Sequence, residues 1–170
     1  VGNSWRPGTR FGPREIRNYS TRYSGWGGSQ QKGYWDINQN KRFLEDISMS
    51  DCGDVDVAYY DIKRNRKIIT QTVKKILKAG TFAVVIGGDH SITYPCICAF
   101  EDFKSLDIIQ IDAHLDWIDE VDGIRYANGS PMRRSMELDF TNKMVQLGIR
   151  CIRSRESDYN FAKSQGSQIF

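Results

Sequence analysis

Two short apolar runs, residues 82–86 and 107–111, each end in small residues and potential ligands. Both runs are rich in β-branched residues, and a segment with helical features separates them. This pattern predicts two buried parallel strands of an α/β sheet. We expect the intervening helix to be capped by Ser91 and to run to about Phe103, with Pro95 in its first turn.

The remaining pattern predicts three βα units after a loop-rich region that occupies residues 1–35. Apolar positions at helical spacing indicate a helix over 67–79, which Gly80 ends. Residues 54–59 alternate and are compatible with a strand, with their two acids at a loop edge. The other predicted elements are a helix starting at Pro13, a helix from Ser130–Pro131 to about Asp139, a strand over 143–149, a helix over 156–163 closed by Gly166, and a strand opening at Gln168.

Length and composition narrow the class of protein. A chain of 170 residues predicts a single domain with a substantial core. The 24 basic and 21 acidic residues nearly balance, which argues against nucleic acid as a partner. No apolar run approaches the ~20 residues that a membrane span needs.

The four cysteines also carry information. They lack the spacing of a zinc or redox pair, and they lie in or beside apolar segments. We interpret them as buried free thiols, which favour a reducing, cytoplasmic location. They are Cys52, Cys96, Cys98 and Cys151.

The polar residues that follow the first two strands include four candidate metal ligands. Sites in open α/β sheets lie beyond the carboxyl ends of the strands, so both polar segments should emerge at one edge. In an extended chain, residues two apart point to the same side, which places Asp112, His114 and Asp116 on one face. With His90 opposite, these imidazoles and carboxylates suit Mn, Fe or Ni better than zinc.

A simpler interpretation remains open for each of these residues taken singly. The aspartates could solvate a loop and cap the next helix, and backbone groups could satisfy the histidines. Four such residues at two strand ends favour the metal site.

The same segments carry a resemblance. Gly87–Ser91 (GGDHS) and Asp112–Asp116 (DAHLD) together resemble the metal motifs of the ureohydrolase family of arginases, agmatinases and related amidinohydrolases. Two supporting matches are Gly8–Pro13 with Ile16-Arg17, and Gly129–Arg134. The similarity runs in order through nearly the whole chain and favours the agmatinases over the arginases.

The resemblance implies a three-layer, doubly wound α/β fold around a mainly parallel sheet. It also implies a site for two Mn²⁺ ions, with Ni²⁺ or Fe²⁺ as alternatives. His90, Asp112 and Asp116 would hold one ion, and His114 would hold the other, with Asp112 bridging. A hydroxide shared by the ions would attack the guanidinium carbon of a small guanidino substrate, and agmatine would give urea and putrescine. Family resemblance further implies a homo-oligomer, either a trimer or a hexamer.

Two departures from the family pattern matter. The family takes two more aspartate ligands from an Asp-x-Asp motif on a later strand, and no such motif follows Asp116. We therefore expect 1–170 to be one catalytic domain with only its N-terminal part present, the second half of the metal site missing after Phe170. The other departure is Asn128, which stands where many relatives carry a histidine thought to shuttle protons. It can hydrogen-bond but does not titrate near neutrality. Asn128 is therefore a candidate catalytic or substrate-binding residue that orients the substrate, with water as the alternative proton carrier, unless it is an ordinary loop asparagine.

The acidic loop after Asp116 is a candidate for substrate recognition. Asp119, Glu120 and Asp122 would attract the cationic amine at the far end of agmatine, with a solvated loop as the alternative. Guanidinobutyrate or another guanidino compound is an alternative substrate. A non-catalytic metal-binding relative or partner subunit is a competing class of protein. A deacetylase-type amide hydrolase with a single metal ion is a third.

Overall fold

The computed structural model describes residues 8–22 and 33–170, so part of the predicted loop-rich region lies outside the described residues. The chain divides into two compact units. Of the described residues, 11–22 and 33–54 form one unit, and 8–10 and 55–170 form the other.

The smaller unit contains helix α1 (Gly12–Ser20) and an antiparallel pair of strands, β1 (Tyr34–Asp36) and β2 (Lys41–Phe43). Pro13 lies in the first turn of α1, as predicted. The apolar pattern did not predict the hairpin, because strands of three residues are too short to show alternation. Its turn is held by polar chemistry, since the Asp36 carboxylate accepts hydrogen bonds from two following backbone N–H groups at 2.9 and 2.8 Å.

The larger unit is built around three parallel strands, which confirms the α/β prediction. Its helices and strands, in chain order, are α2 (Ile62–Lys78), α3 (Thr93–Cys98), β3 (Leu106–Ile111), α4 (Pro131–Met136), β4 (Thr141–Leu147), α5 (Glu156–Ser164) and β5 (Gln168–Ile169). The sheet order is β3-β4-β5, and both pairings are parallel. Helix α3 packs against both α2 and α4, and α4 also contacts β4.

Capping residues account for most differences in helix boundaries. Helix α2 begins earlier than predicted because the Asp61 carboxylate accepts a hydrogen bond from the Arg64 N–H at 2.8 Å, and the first turn is polar. A short 3₁₀ helix, His90–Ile92, precedes α3. Its cap is Asp89, whose carboxylate accepts from the Ser91 N–H at 3.0 Å, so the prediction of Ser91 as the cap is wrong.

Helices α3 and α4 are also shorter than predicted, whereas strand β4 starts and ends earlier than predicted. Pro95 occupies the first turn of α3, as expected, and Pro131 begins α4. Strand β4 ends at Leu147 because Gly148 takes a left-handed conformation, with φ of +83°. Helix α5 closes with Gly166 in the same conformation, as predicted.

Two predicted strands do not form. Residues 82–86 pair with no strand among the described residues, and Phe82 is 91% exposed. An apolar run becomes a strand only when a partner completes its hydrogen-bond ladder, and here no partner lies alongside. Residues 54–59 are also irregular, and their acids pair with arginines instead: Asp54 with Arg17 at 2.9 Å, and Asp56 with Arg64 at 3.0 Å.

Strand β3 is buried on one face only, contrary to the expectation of burial on both. Ile111 is 82% exposed, whereas Gln110 is almost fully buried. The core lies on the Gln110 side and consists of the buried side chains of Leu115, Trp117, Met132, Met144 and Ala162. The ring of Trp117 meets that of Phe161 edge-on, with centroids 6.0 Å apart.

All four cysteines are free thiols, as predicted, but their burial is less than expected. Cys52 is exposed and the other three are half-buried. Burial raises the pKa of Cys96 to about 12, so that thiol stays protonated and unreactive at neutral pH. Over residues 8–22 and 33–170, no helix has the length and apolar character to cross a bilayer.

The core predicts a clear contrast between two substitutions. Met144→Ala should lower the free energy of unfolding by about 2–5 kcal/mol, because it leaves a cavity beside Trp117. Ile152→Ala should change that free energy by less than about 0.5 kcal/mol, since Ile152 is 99% exposed. Urea denaturation followed by tryptophan fluorescence measures both. Equal effects would contradict the assignment of the core.

Candidate metal centre

The segment that follows β3 is tied by backbone hydrogen bonds to the ends of two other elements. The Asp112 N–H donates to the Leu147 carbonyl at 3.1 Å, and the Ala113 carbonyl accepts from the Arg150 and Cys151 N–H groups. The Asp116 carbonyl accepts from the N–H of Met132, in the first turn of α4, at 3.2 Å. The segment is therefore fixed at the carboxyl edge of the sheet, where the pattern placed it.

A pair of glycines positions the loop that carries His90. A Cβ on Gly88 would lie 3.1 Å from the Thr9 backbone, and a Cβ on Gly87 would overlap the Ile92 side chain at 1.8 Å. The Thr9 hydroxyl also donates to the Asp89 carboxylate at 3.4 Å. Thr9 of the motif GTRFGP thus lies against Gly88 of the motif GGDHS, where a side chain would crowd the Thr9 backbone.

Three of the four predicted ligands converge in the structure. One ligand atom from each of His90, Asp112 and Asp116 lies within 4.8 Å of the other two. His90 Nδ1 is 2.6 Å from Asp116 Oδ2 and 3.9 Å from Asp112 Oδ2. All three side chains are at least partly shielded from solvent, and the Asp116 side chain is only 10% exposed.

His114 lies on the other side of the Asp112 carboxylate and is more exposed. Its Nδ1 is 3.0 Å from Asp112 Oδ1, and its backbone N–H donates to the same oxygen at 2.8 Å. One oxygen of Asp112 therefore faces His90 and the other faces His114. A carboxylate placed between two imidazoles can serve two cations at once.

The electrostatics of the cluster reflect the close contacts between its histidines and its aspartates. Burial lowers the pKa of His90, but the hydrogen bond and charge of Asp116, together with the charges of Asp112 and Asp89, outweigh burial and raise it. Burial raises the pKa of Asp112, but hydrogen bonds from the His114 N–H and ring, with the charge of His90, lower it overall. The site thus favours positive charge, and a divalent ion would replace the His90 proton.

The donor set fits a hard or borderline divalent ion. It offers imidazole nitrogens and carboxylate oxygens, and no cysteine takes part in the cluster. Such ligands suit Mn²⁺, Fe²⁺ or Ni²⁺.

One acid of the acidic loop, Asp119, forms ion pairs with a cluster of three arginines. Asp119 lies 2.5 Å from Arg134, 3.4 Å from Arg133 and 3.7 Å from Arg125. The hydrogen bond from Arg134 is the main cause of the lowered pKa of Asp119. Only 2% of the Arg134 side chain is exposed, so Asp119 has a structural task in addition to its predicted role in recognition.

The other two acids of that loop have a different setting. Glu120 and Asp122 are exposed, at the turn where Val121 and Ile124 form an isolated antiparallel bridge. Asp122 itself takes a left-handed conformation, with φ of +50°. These two carboxylates are therefore available to solvent and to a cationic ligand.

Asn128 is half-buried in the loop that leads into α4. Its neighbour Gly129 accepts a hydrogen bond from the Ile118 N–H at 3.0 Å, and a Cβ on Gly129 would lie 3.1 Å from the Ile118 side chain. Asn128 is thereby held beside the chain that leaves Asp116. Its predicted role in orienting substrate stays a prediction.

Two residues that support the cluster were not predicted from the sequence. Gln110 Nε2 donates to Asp116 Oδ2 at 3.2 Å, and Gln146 donates to Gln110 Oε1. The signal was available, because each glutamine interrupts an otherwise apolar part of a strand predicted to be buried. A buried amide requires hydrogen-bond partners, and these two find them in each other and in the site.

The protein is thus of the α/β class, with a parallel sheet whose carboxyl edge carries histidine and aspartate side chains that could hold a metal ion. Residues 1–170 match the family model described as arginase family, and the chain belongs to that family.

Curated relatives and solved structures agree with this assignment. The chain is 31% identical to a guanidinobutyrase from Pseudomonas aeruginosa, over 99% of this chain and 51% of the relative. It is also 31% identical to an agmatinase from Bacillus subtilis, over 98% of this chain and 53% of the relative. The structure of proclavaminate amidino hydrolase from Streptomyces clavuligerus superposes with a TM-score of 0.80 at 29% identity, covering 99% of this chain and 54% of that one. The predicted arginase-like fold is confirmed, and the chain spans about half the length of these relatives.

The arginine cluster predicts a specific loss of stability. Asp119→Asn should lower the free energy of unfolding by about 1–3 kcal/mol, because buried Arg134 loses a charged partner. The loss is limited because Glu137 stays 3.1 Å from Arg134. The matched control Glu120→Gln alters an exposed acid of the same loop and should change stability by less than about 0.5 kcal/mol. Denaturant unfolding of both variants at pH 7 tests this, and an unaffected Asp119→Asn protein would contradict it.

Proposed function

We propose that this chain forms part of a metal-dependent hydrolase that cleaves a small guanidino compound and releases urea. The observation that carries the proposal is the Asp112 carboxylate, which faces His90 with one oxygen and His114 with the other. Asp116 completes the set on the His90 side. Membership of the arginase family supports the same class of reaction.

The residues present would divide between two divalent ions, with Mn²⁺ as the first choice and Ni²⁺ or Fe²⁺ as alternatives. His90, Asp112 and Asp116 would hold one ion, and His114 with Asp112 would hold the second. Such ions would lower the pKa of water and so make a nucleophile available at neutral pH. The acids of the cluster would also attract the positively charged guanidinium group of the substrate.

Other residues of the chain would orient the substrate and limit access of water. Asn128 can donate to and accept from a guanidinium or urea group without changing its charge, which suits a positioning role. Leu115 and Trp117 are almost fully buried, so they would exclude water from the core side of residues 112–116, which carry the candidate ligands. Glu120 and Asp122 would bind the far end of a substrate that carries a second positive charge.

We further propose that a longer protein completes the site. Four ligands give one ion three protein groups and the other only two, and the chain spans about half the length of its relatives. Additional aspartates from outside these 170 residues would fill the second set. The expected homo-oligomer and the cytoplasmic location stay predictions.

Agmatine is the substrate we favour, and guanidinobutyrate is the alternative. Relatives named agmatinase and guanidinobutyrase are equally similar to this chain, at 31% identity. The exposed acids Glu120 and Asp122 favour a substrate with a cationic end over one with a carboxylate end. A non-catalytic metal-binding relative is the competing class of protein.

The metal site predicts a stoichiometry and a ranking of two substitutions. The full-length protein should bind two divalent ions per chain and release urea from agmatine with added Mn²⁺. Asp112→Ala should remove more metal than Asp116→Ala, because a carboxylate between two imidazoles serves both ions. Substituting a residue that only contacts a metal ligand typically lowers activity ~10–100-fold. Because Asp112 and Asp116 would themselves be ligands, each variant should lose more than that in its rate of urea release.

Elemental analysis after dialysis, together with urea assays, measures these outcomes. Equal metal loss from both variants, or one ion per wild-type chain, would contradict the assignment of Asp112 as the shared ligand. Two bound ions without urea release from any guanidino compound would favour the non-catalytic relative.

The acidic loop predicts a change in substrate preference. Replacing both exposed acids, as Glu120→Gln with Asp122→Asn, should raise KM for agmatine about two- to thirtyfold, because exposed charge pairs contribute roughly 0.2–1 kcal/mol each. KM for guanidinobutyrate should stay constant or fall. Steady-state urea release on both substrates decides between recognition and simple solvation of the loop. An identical change for the two substrates would rule out recognition.

A further inference from the structure

A chain of buried hydrogen bonds joins the far strand of the sheet to the metal cluster. Its members are Ser167 beside β5, Gln146 in β4, Gln110 in β3 and Trp117 just beyond the ligand segment. Each is at most 6% exposed, so water does not compete for these bonds. The last hydrogen bond of this series is the one that Asp116 Oδ2 accepts from Gln110 Nε2.

The direction of this chain follows from the chemistry of its first donors. Trp117 Nε1 and the Ser167 hydroxyl both donate to Gln146 Oε1, at 2.9 and 2.8 Å. An indole N–H can only donate, so the oxygen of the Gln146 amide must face it. The Gln146 nitrogen is thereby turned toward Gln110 Oε1 and the Leu115 carbonyl, which it reaches at 2.8 Å.

The orientation of the Gln146 amide also fixes the orientation of the Gln110 amide. Because its oxygen accepts from Gln146, its nitrogen must point the other way. Gln110 Nε2 then donates to Asp116 Oδ2 and to the His114 carbonyl, both at 3.2 Å. The group presented to Asp116 is therefore a donor, and the orientation is set by Trp117 rather than by Gln110 alone.

Packing alone does not explain these glutamines. Two amides in a sheet interior cost desolvation that apolar side chains of similar size would avoid. They are tolerated here because every polar atom of both amides has a partner, and such networks hold one arrangement firmly.

We propose that Gln110 is a positioning residue for Asp116, and that Gln146, Trp117 and Ser167 set the direction of its amide. One N–H of Gln110 occupies one side of Asp116 Oδ2, which limits rotation of the carboxylate beside His90. The ligand then keeps the orientation that an ion shared with His90 and Asp112 requires. This inference rests on the proposed function only in taking Asp116 as a metal ligand.

The test measures Mn²⁺ affinity of the full-length protein by calorimetry and the EPR spectrum of the bound ion. Gln110→Leu keeps the volume and removes the donor, and it should weaken Mn²⁺ binding about 10–100-fold with a changed spectrum. Trp117→Phe combined with Ser167→Ala removes the two donors that orient Gln146. This double variant should lose affinity in the same direction, but less.

Met144→Ala is the matched control. It weakens the core in the same strand as Gln146, but it removes none of the hydrogen bonds between Ser167, Trp117, Gln146, Gln110 and Asp116. It should bind Mn²⁺ with wild-type affinity and spectrum although its stability falls. A comparable loss of affinity in Met144→Ala would overturn the proposal, because destabilisation would then explain the effect. Wild-type affinity and spectrum in folded Gln110→Leu would overturn it as well. Circular dichroism establishes folding, and if Gln110→Leu does not fold, the double variant decides.

Separate outcomes distinguish this inference from the proposed function. A wild-type protein that binds Mn²⁺ but releases no urea refutes the proposed reaction, and the affinities of the variants still decide the role of Gln110. A wild-type protein that binds none of Mn²⁺, Ni²⁺ and Fe²⁺ refutes both.

Discussion

The attachment of residues 112–117 to the rest of the larger unit is the constraint on which the candidate site depends. This segment leaves β3 and at once bonds to the end of β4 and to the first turn of α4. Asp116 accepts a left-handed backbone, with φ of +57°, to make the turn. The backbone thus holds Asp112, His114 and Asp116 at the sheet edge.

Some side chains next to this segment form the apolar core, and others form the hydrogen bonds that reach Asp116. Trp117 contributes to both, because its ring packs on Phe161 while its N–H binds Gln146. The core and the hydrogen-bond network that reaches Asp116 consequently share Trp117. Replacing the indole with a phenyl ring removes the N–H but keeps an aromatic side chain, so it affects the hydrogen bond more than the apolar packing.

The arginine cluster shows a similar coupling on the other side of the segment. Arg134 is buried, and its Nε and Nη1 find no hydrogen-bond partner among the described residues. Asp119 and Glu137 balance its charge, so the loop that leaves the metal cluster is tied to α4 by charge as well as by backbone. An acid near the site can therefore stabilise the fold, and its presence alone does not identify a recognition residue.

The local pattern by itself determined the parallel α/β class, the positions of α5 and β5, and the His90, Asp112 and Asp116 group, because strand ends and residue spacing place these side chains at one edge. It could not determine the fate of residues 82–86, since an apolar run forms a strand only where a partner is present. It also could not rank the acids of the loop, because the sequence does not show that Asp119 lies beside buried Arg134. The tertiary structure alone decided the roles of Gln110 and Gln146. Their hydrogen bonds join residues far apart in the chain, and the direction of each amide depends on the donor-only indole of Trp117 at the opposite end.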